Sequence, residues 1–454
     1  MIVLARILTP TDFGIYALCY SVFLFFQSFL DFGLTPIYLK YPKVDTTINS
    51  SFLSINLFFG SSVALILMII APVMVFYYDI HDLYLLFGIL ALSAISMSSS
   101  NQPYSQLLRQ KQFYQTQSIS VGSNVVALGL SILLASLGYG PIALAIKHLS
   151  YSVTRLISAM ICARAKYQLV SKQDLSKIKP YVLQAYHLTI SRLITGISGN
   201  IEKLAVGKIF GEATLGHYER GLFVVEKPNA FRNAITTPAM TYLSSMPQNR
   251  LSKAYIVLNL LILNFIGIPC LICFLYGSEL TLWILGDQWF EAGGYVTWLA
   301  FLGLALIFKG LTNIMYINDL KTKELTKLYW VGITIVYLPV LGGFLYYNID
   351  MTTFVMLYSV VSFLYWFVIW CLTILRYTQP KLIAMSCIGY IITLYVGFIS
   401  TSYLLMPLME VLEVNPTLWV LSLLTLSYLV SVGLVSLIFT HRVKEQIEFI
   451  KNRI

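Results

Sequence analysis

FLSINLFFGSSVALILMIIAPVMVFYY, residues 52–78, runs for 27 residues without a charge. As a helix it rises about 40 Å, more than the ~30 Å of hydrocarbon in a bilayer. Similar runs recur along the chain, whose 454 residues are 58% hydrophobic and 11% charged, with a mean hydropathy of +0.77. Soluble domains carry roughly 25% charged residues. The composition excludes a soluble enzyme and a nucleic-acid-binding domain, and runs this long exclude an outer-membrane barrel, whose strands alternate over only about 10 residues. The expected fold class is an all-α polytopic membrane protein.

Apolar blocks and their polar punctuation predict about thirteen spans, near 13–30, 52–78, 82–101, 118–137, 141–162, 182–206, 213–244, 254–276, 294–317, 327–347, 351–375, 382–407 and 416–440. The longest hydrophilic connection, 163–181, leaves no room for a soluble catalytic domain. No catalytic residue, cofactor or metal is expected. The six cysteines, Cys19, Cys162, Cys270, Cys273, Cys371 and Cys387, all fall in or beside apolar runs, so the Cys270–Cys273 pair reads as small membrane-buried residues rather than a redox or zinc motif.

Thirty Lys and Arg against twenty acids give a net charge of +10. One set of alternate connections, together with the C-terminal tail, holds twenty of these bases, among them Lys40, Arg109, Lys172, Lys321 and Arg376. The opposite set holds Arg6 and Lys208, with ten acids, Asp12, Asp79, Asp82, Asp287 and Asp350 among them. By the positive-inside rule the first set and the C-terminus are expected in the cytoplasm. The remaining eight bases, Lys147, Arg155, Arg192, Lys203, Arg220, Lys227, Arg232 and Lys309, lie inside predicted spans, with only three acids, Glu202, Glu219 and Glu226. A charge at mid-bilayer costs about 2.5–3.5 kcal/mol or more unless it meets a partner or a wet cavity. The excess of buried positive charge points to an anionic ligand.

The chain also repeats itself at an offset of 202. Arg6–Tyr16 (RILTPTDFGIY) lies over Lys208–Tyr218 (KIFGEATLGHY), and Thr35-Pro36 over Thr237-Pro238 without a gap. With a ten-residue insertion, Leu108-Arg109-x-Lys111 matches Leu320-Lys321-x-Lys323. Two parallel copies predict two pseudo-symmetric helical bundles around a central cavity, an arrangement used by transporters. The expected organisation is an N-lobe 1–162, a basic cytoplasmic linker 163–181, a C-lobe 182–376, two additional helices 377–440 and a cytoplasmic tail 441–454. In the second copy a whole span, 182–206, precedes Lys208, whereas five residues precede Arg6, so the first helix of a fourteen-span fold is expected to be missing ahead of Met1.

These residues carry a family resemblance. Leu4–Tyr16 (LARILTPTDFGIY), Asp31-Phe-Gly-Leu34, Leu108–Phe113 (LRQKQF), Asn200–Gly207 (NIEKLAVG) and Leu215–Tyr218 (LGHY), in this order along the spans, resemble Wzx-type polysaccharide and O-antigen flippases, with a flavour of the colanic-acid exporters. These belong to the multidrug/oligosaccharidyl-lipid/polysaccharide exporter superfamily. The resemblance implies two six-helix bundles plus two C-terminal helices in the bacterial inner membrane. It also implies movement of a polyprenyl-diphosphate-linked oligosaccharide from inner to outer leaflet for surface polysaccharide synthesis, with membrane lipids and polysaccharide polymerase and chain-length proteins as partners. Glu202 stands where the family commonly has Asp.

Candidate ligands of the diphosphate follow from helical spacing. Arg192 and Lys203, eleven residues apart, fall within about 20° of one face. On the next span Arg220 and Lys227 form one stripe and Glu219 and Glu226 another, offset by about 100°. In the first copy Lys147, Tyr151 and Arg155 share a face, with His148 adjacent and read as a hydrogen-bonded helix residue. Arginine suits a diphosphate through its permanent charge and bidentate fork. Glu202, Glu219 and Glu226 are the candidates for ion coupling. The alternative, a cation-coupled multidrug exporter, is disfavoured because the net positive span charge would repel cationic drugs. A membrane glycosyltransferase or polymerase is disfavoured by the short loops and the lack of a DxD motif.

Overall fold

In the computed structural model the described residues are 1–41, 44–164, 167–168, 200–244, 246, 248–319, 321–347, 349–378, 381, 384–393, 395–396 and 399–400. Among them every regular element is helical. The chain packs as two compact units, Met1–Glu219 and Arg220–Ile454. Most of the expected linker, most of span 182–206 with Arg192, span 416–440 and the tail lie outside the described residues.

The first unit contains α1 (Ile2–Ile7), α2 (Pro10–Phe26), α3 (Leu34–Lys40), α4 (Thr46–Tyr78), α5 (Leu83–Arg109), α6 (Phe113–Ser136) and α7 (Pro141–Ala163), and it holds the start of α8 (Ile201–Ser244). Helix α2 starts where it does because Thr9 and Asp12 form a capping box: Asp12 N–H donates to Thr9 Oγ1 (3.2 Å) and Thr9 N–H to Asp12 Oδ2 (2.9 Å), with Pro10 at the first helical position. Asp45 caps α4 in the same way through Ile48 N–H (2.8 Å). Helix α5 is central, packing along α4 on one side and α7 on the other. Residues 200–219 join this unit because Tyr78 donates its hydroxyl proton to the Leu204 carbonyl (2.8 Å), and Lys208 reaches the Tyr77 carbonyl (2.5 Å) and stands 4.3 Å from its ring centroid.

The second unit contains the rest of α8, then α9 (Gln248–Phe265), α10 (Gly267–Leu285), α11 (Phe290–Asn318), α12 (Thr322–Gly332), α13 (Leu338–Tyr347) and α14 (Met351–Tyr377). Helix α11 is its core, with Leu299, Ala300, Ile307 and Phe308 buried against α10 and α14. A π-helical turn, Ile333–Tyr337, joins α12 to α13.

Six described helical stretches are long and apolar enough to cross a membrane: Thr46–Tyr78, Leu83–Arg109, Phe113–Ser136, Arg250–Leu285, Asp287–Asn318 and Met351–Tyr377. The helices overrun the apolar runs, so α5 continues to Arg109 whereas the apolar run ends near 101. Hydropathy marks the hydrocarbon, but a helix continues until its backbone is capped or broken. Helices α7 and α8 have the length to cross and fall outside the six, and they carry most of the candidate site charges.

Within each unit, the connections that charge sorting grouped together meet at a common end. Arg109 donates to the Tyr38 carbonyl (2.8 Å) at the C-terminus of α3, and Gln168 reaches Ser50 and Thr47. In the second unit Arg376 pairs with Glu324 (2.7 Å), Lys321 with Asp319 (2.5 Å), and Tyr377 donates to Asp319 (3.1 Å). The Lys321 ammonium beside Asp319 and the Arg376 guanidinium beside Glu324 hold both carboxyls below their usual range. Their stabilisation is therefore present above the unfolded carboxylate values near 4 and fades as pH falls below them. Solvent screens pairs this exposed, so they add little to stability.

Candidate functional site

The sequence repeat marks a helix crossing. Gly211 (φ 85°, ψ 171°) breaks the long helical stretch between the spans that end near 206 and begin near 213. At an offset of 202 it lies over Thr9, the extended residue (ψ 161°) ahead of α2, so both copies start this helix at the same place. The two starts cross. A Cβ on Gly14 would overlap the carbonyl oxygen of Glu212, and one on Gly216 would overlap that of Pro10. The offset exchanges Gly14 with Gly216 and Pro10 with Glu212, so this is one contact made twice about a local pseudo-two-fold axis.

Where the polypeptide leaves α2 it passes through a short 3-10 segment, Gln27–Phe29, and then two residues of positive φ, Phe32 (45°) and Gly33 (65°). The break strands the Leu30 carbonyl in an apolar setting where backbone groups must be satisfied internally. Ser98 Oγ (2.6 Å) and Asn101 Nδ2 (3.0 Å) donate to it from α5. Asn101 in turn accepts from Arg155 Nη1 (3.2 Å), which also meets Ser100 Oγ (2.9 Å) and Met97 Sδ (3.1 Å), and the guanidinium lies 4.4 Å from the centre of the Tyr104 ring. Arg155 is thus buried at 8% exposure and tied to α5. This network was missed from sequence. Its signal is the polar run Ser98–Gln102 (SSSNQ) inside an otherwise apolar helix.

The other candidates in the first unit are placed as follows. Lys147, on the same helix as Arg155, points its ammonium at Met1 Sδ (3.5 Å). His148 bonds Ser93 Oγ (3.0 Å) and packs edge-on to Tyr20 and Phe23, the hydrogen-bonded helix histidine that was expected. Lys203 and Glu219 are brought together as an ion pair (2.6 Å) with side chains 14% and 18% exposed. Glu202 is buried.

In the second unit the expected basic stripe forms around an aromatic ring. Phe223 lies three residues after Arg220 and four before Lys227, hence on their face. The Arg220 guanidinium stands 5.1 Å and the Lys227 ammonium 3.9 Å from its centroid. Arg220 is buried at 8% exposure, and Lys227 and Glu226 are exposed. A quadrupolar ring face attracts both cations. The spacing of the charges was readable in the sequence, but the ring was passed over because a lone Phe in an apolar helix carries no signal. Arg232 donates to the Leu306 carbonyl across the bare Cα of Gly310, and Lys309 lies over Tyr329 (4.8 Å) and Trp366 (5.6 Å). Among the described residues no group of His, Cys, Asp and Glu has the arrangement of a metal site.

Residues 3–294 match the family described as polysaccharide biosynthesis protein. A Klebsiella pneumoniae protein named "Uncharacterized membrane protein in cps region" is 21% identical over 294 residues, 64% of this chain and 60% of that protein. The teichuronic acid biosynthesis protein TuaB of Bacillus subtilis is 21% identical over 304 residues, 66% of this chain and 63% of that protein. The matched stretch spans less than two thirds of either relative. Among solved structures, the lipid II flippase MurJ in an inward closed conformation superposes with a TM-score of 0.70 at 14% identity, covering 96% of this chain and 95% of that one, which is a likeness of fold. With the family match extending over more than half of its length, the chain belongs to the polysaccharide biosynthesis protein family of membrane-spanning helical proteins.

Proposed function

We propose that the protein is a flippase that moves an anionic polyprenyl-diphosphate-linked oligosaccharide from the inner to the outer leaflet of the bacterial inner membrane by alternating access. The observation that carries this reading is the Arg220–Phe223–Lys227 stripe, two cations held on one ring of α8, in a span predicted from the sequence. An anion entering low dielectric needs such a partner. The diphosphate is assigned to Arg220 and Lys227, with Lys203, Lys147, Arg155 and, outside the described residues, Arg192 as further ligands. The lobes are 1–162 and 182–376, joined by 163–181. No bond of the substrate changes, and polymerase and chain-length proteins act on what is delivered.

Deleting the gene should abolish one surface polysaccharide and accumulate its lipid-linked repeat unit on the inner leaflet, and glycan analysis of that strain would name the polymer. An unchanged glycan profile with no accumulated intermediate would sink the proposal. In the same strain, Gln at Glu202, Glu219 and Glu226 together should uncouple transport from the ion gradient; gradient-driven export by that triple variant would remove them as the coupling site.

The basic ends of both units are assigned to the cytoplasm, together with the C-terminus. Reporter fusions at Arg109 and Lys321 should therefore be cytoplasmic and one at Asp287 extracytoplasmic. Finding Asp287 and Lys321 on the same side would reverse the assignment.

A further inference from the structure

The C-terminal end of α8 and the first turns of α9 line an open groove of about 540 Å³, within the roughly 300–1,000 Å³ of small-molecule sites. Ala239 and Leu243 line one wall, and Ala254, Val257, Leu258 and Leu261 the other. The second set recurs at the three- and four-residue spacing of one helix face, so the wall is a continuous apolar strip. Val257 and Leu261 are 60% and 40% exposed, so the groove opens sideways.

Arg250 and Lys253 line the same cavity at its polar end. Both are exposed, and neither makes a hydrogen bond or ion pair among the described residues. The Arg376–Glu324 and Lys321–Asp319 pairs of the same unit show what its basic residues do when an acid is within reach. Their depth is marked by aromatic residues. Tyr255, five residues along from Arg250, accepts from Asn318 Nδ2 (2.8 Å) and packs edge-on to Tyr377, which meets Tyr316 in the same manner. Tyrosines of this kind gather at the level of lipid headgroups. From Arg250 to Leu261 is about 16 Å along the helix, which leads from headgroup depth well into the hydrocarbon.

We propose that this groove is a binding site for one anionic phospholipid of the inner leaflet, its phosphate between Arg250 and Lys253 and one acyl chain along Ala254, Val257 and Leu261. Two cations with no hydrogen-bond or ion-pair partner among the described residues, an apolar channel running inward from them and a lateral opening match the parts of such a lipid in order. A zwitterionic lipid brings its own cation to the phosphate and gains less from Arg250 and Lys253.

Native mass spectrometry of the full chain in detergent, titrated with phosphatidylglycerol, tests the assignment. The Arg250→Gln/Lys253→Gln variant, altered only at exposed positions, should bind phosphatidylglycerol about thirtyfold more weakly, as expected for two interfacial cations. Val257→Trp, which fills the groove from its exposed side, should also weaken binding while leaving both cations in place. Phosphatidylcholine should bind weakly and alike to all three proteins. A loss of less than about fivefold in the charge variant, or phosphatidylcholine binding as well as phosphatidylglycerol, would overturn the headgroup assignment, since fivefold is what a single cation supplies. Unchanged binding by Val257→Trp would overturn the acyl-chain assignment. Displacement of phosphatidylglycerol by an equal concentration of undecaprenyl phosphate would give the groove to a carrier lipid instead. None of these readouts depends on transport.

Discussion

Replacing Gly14 by leucine should leave little or no functional protein, and Gly216→Leu should do the same. A first side-chain carbon at either position would overlap a main-chain carbonyl of the opposing helix, that of Glu212 or of Pro10. A carbonyl is fixed by its helix and cannot rotate aside as a side-chain tip would. Inserting even one methylene into a packed contact costs about 1–3 kcal/mol, and leucine inserts four heavy atoms where bare Cα atoms let the backbones touch. Gly14→Ala and Gly216→Ala are the graded test. Since the two contacts exchange under the repeat, the alanine variants should lose similar amounts of thermal stability in detergent. Combined, they should show a coupling energy of about 0.5–3 kcal/mol, because both sit in one crossing. A neutral effect at one glycine and a large one at the other would mean that the crossing is not two-fold.

That crossing also shows how far the sequence could be read. Gly14 with Gly216 was one of three identities in an eleven-residue alignment, and the structure places those two glycines against each other's helices. Helix class and the grouping of loop ends were legible because both follow from free energies of transfer summed over many residues: apolar runs must be buried in lipid and bases must stay on one side. The Thr9–Asp12 capping box is likewise local, requiring only residues three apart. Arg155 is the opposite case. Its spacing from Lys147 gave the face of α7, but its partners, Ser100 and Asn101, lie 55 and 54 residues away in sequence and are reached only once α5 and α7 pack. The Lys203–Glu219 pair is intermediate. Both charges were picked out as intramembrane, and an acid facing a base across a turn was foreseeable, yet which glutamate would be chosen depended on the angle introduced at Gly211. Periodicity therefore reads the face of a helix, and packing decides what that face meets.

The largest functional effect is expected at Arg220 and Lys227. Arg220→Ala with Lys227→Ala should abolish polymer export while the protein stays in the membrane at normal abundance, with Lys444→Ala, in the tail, as an unaffected control. Removing a buried cation such as Arg220 from a charge pair costs about 2–5 kcal/mol, at least ~30-fold in occupancy, and the exposed Lys227 adds a smaller loss. Arg220→Lys separates charge from geometry: it keeps the cation over Phe223 but loses the bidentate fork, so partial loss of export is expected. Phe223→Leu isolates the ring. It removes the quadrupole that holds both cations on one face, worth about 0.5–2 kcal/mol for each, and should weaken export without abolishing it. The Lys203–Glu219 pair behaves differently, since Glu219→Gln removes a negative charge rather than a positive one. If Arg220 and Lys227 bind a diphosphate, Glu219→Gln should tighten retention of an anionic substrate, slowing release while the double alanine variant fails to load. Full export by Arg220→Ala/Lys227→Ala in a deletion strain would show that the diphosphate is held elsewhere, and the proposed substrate chemistry would then lose its support in the second unit.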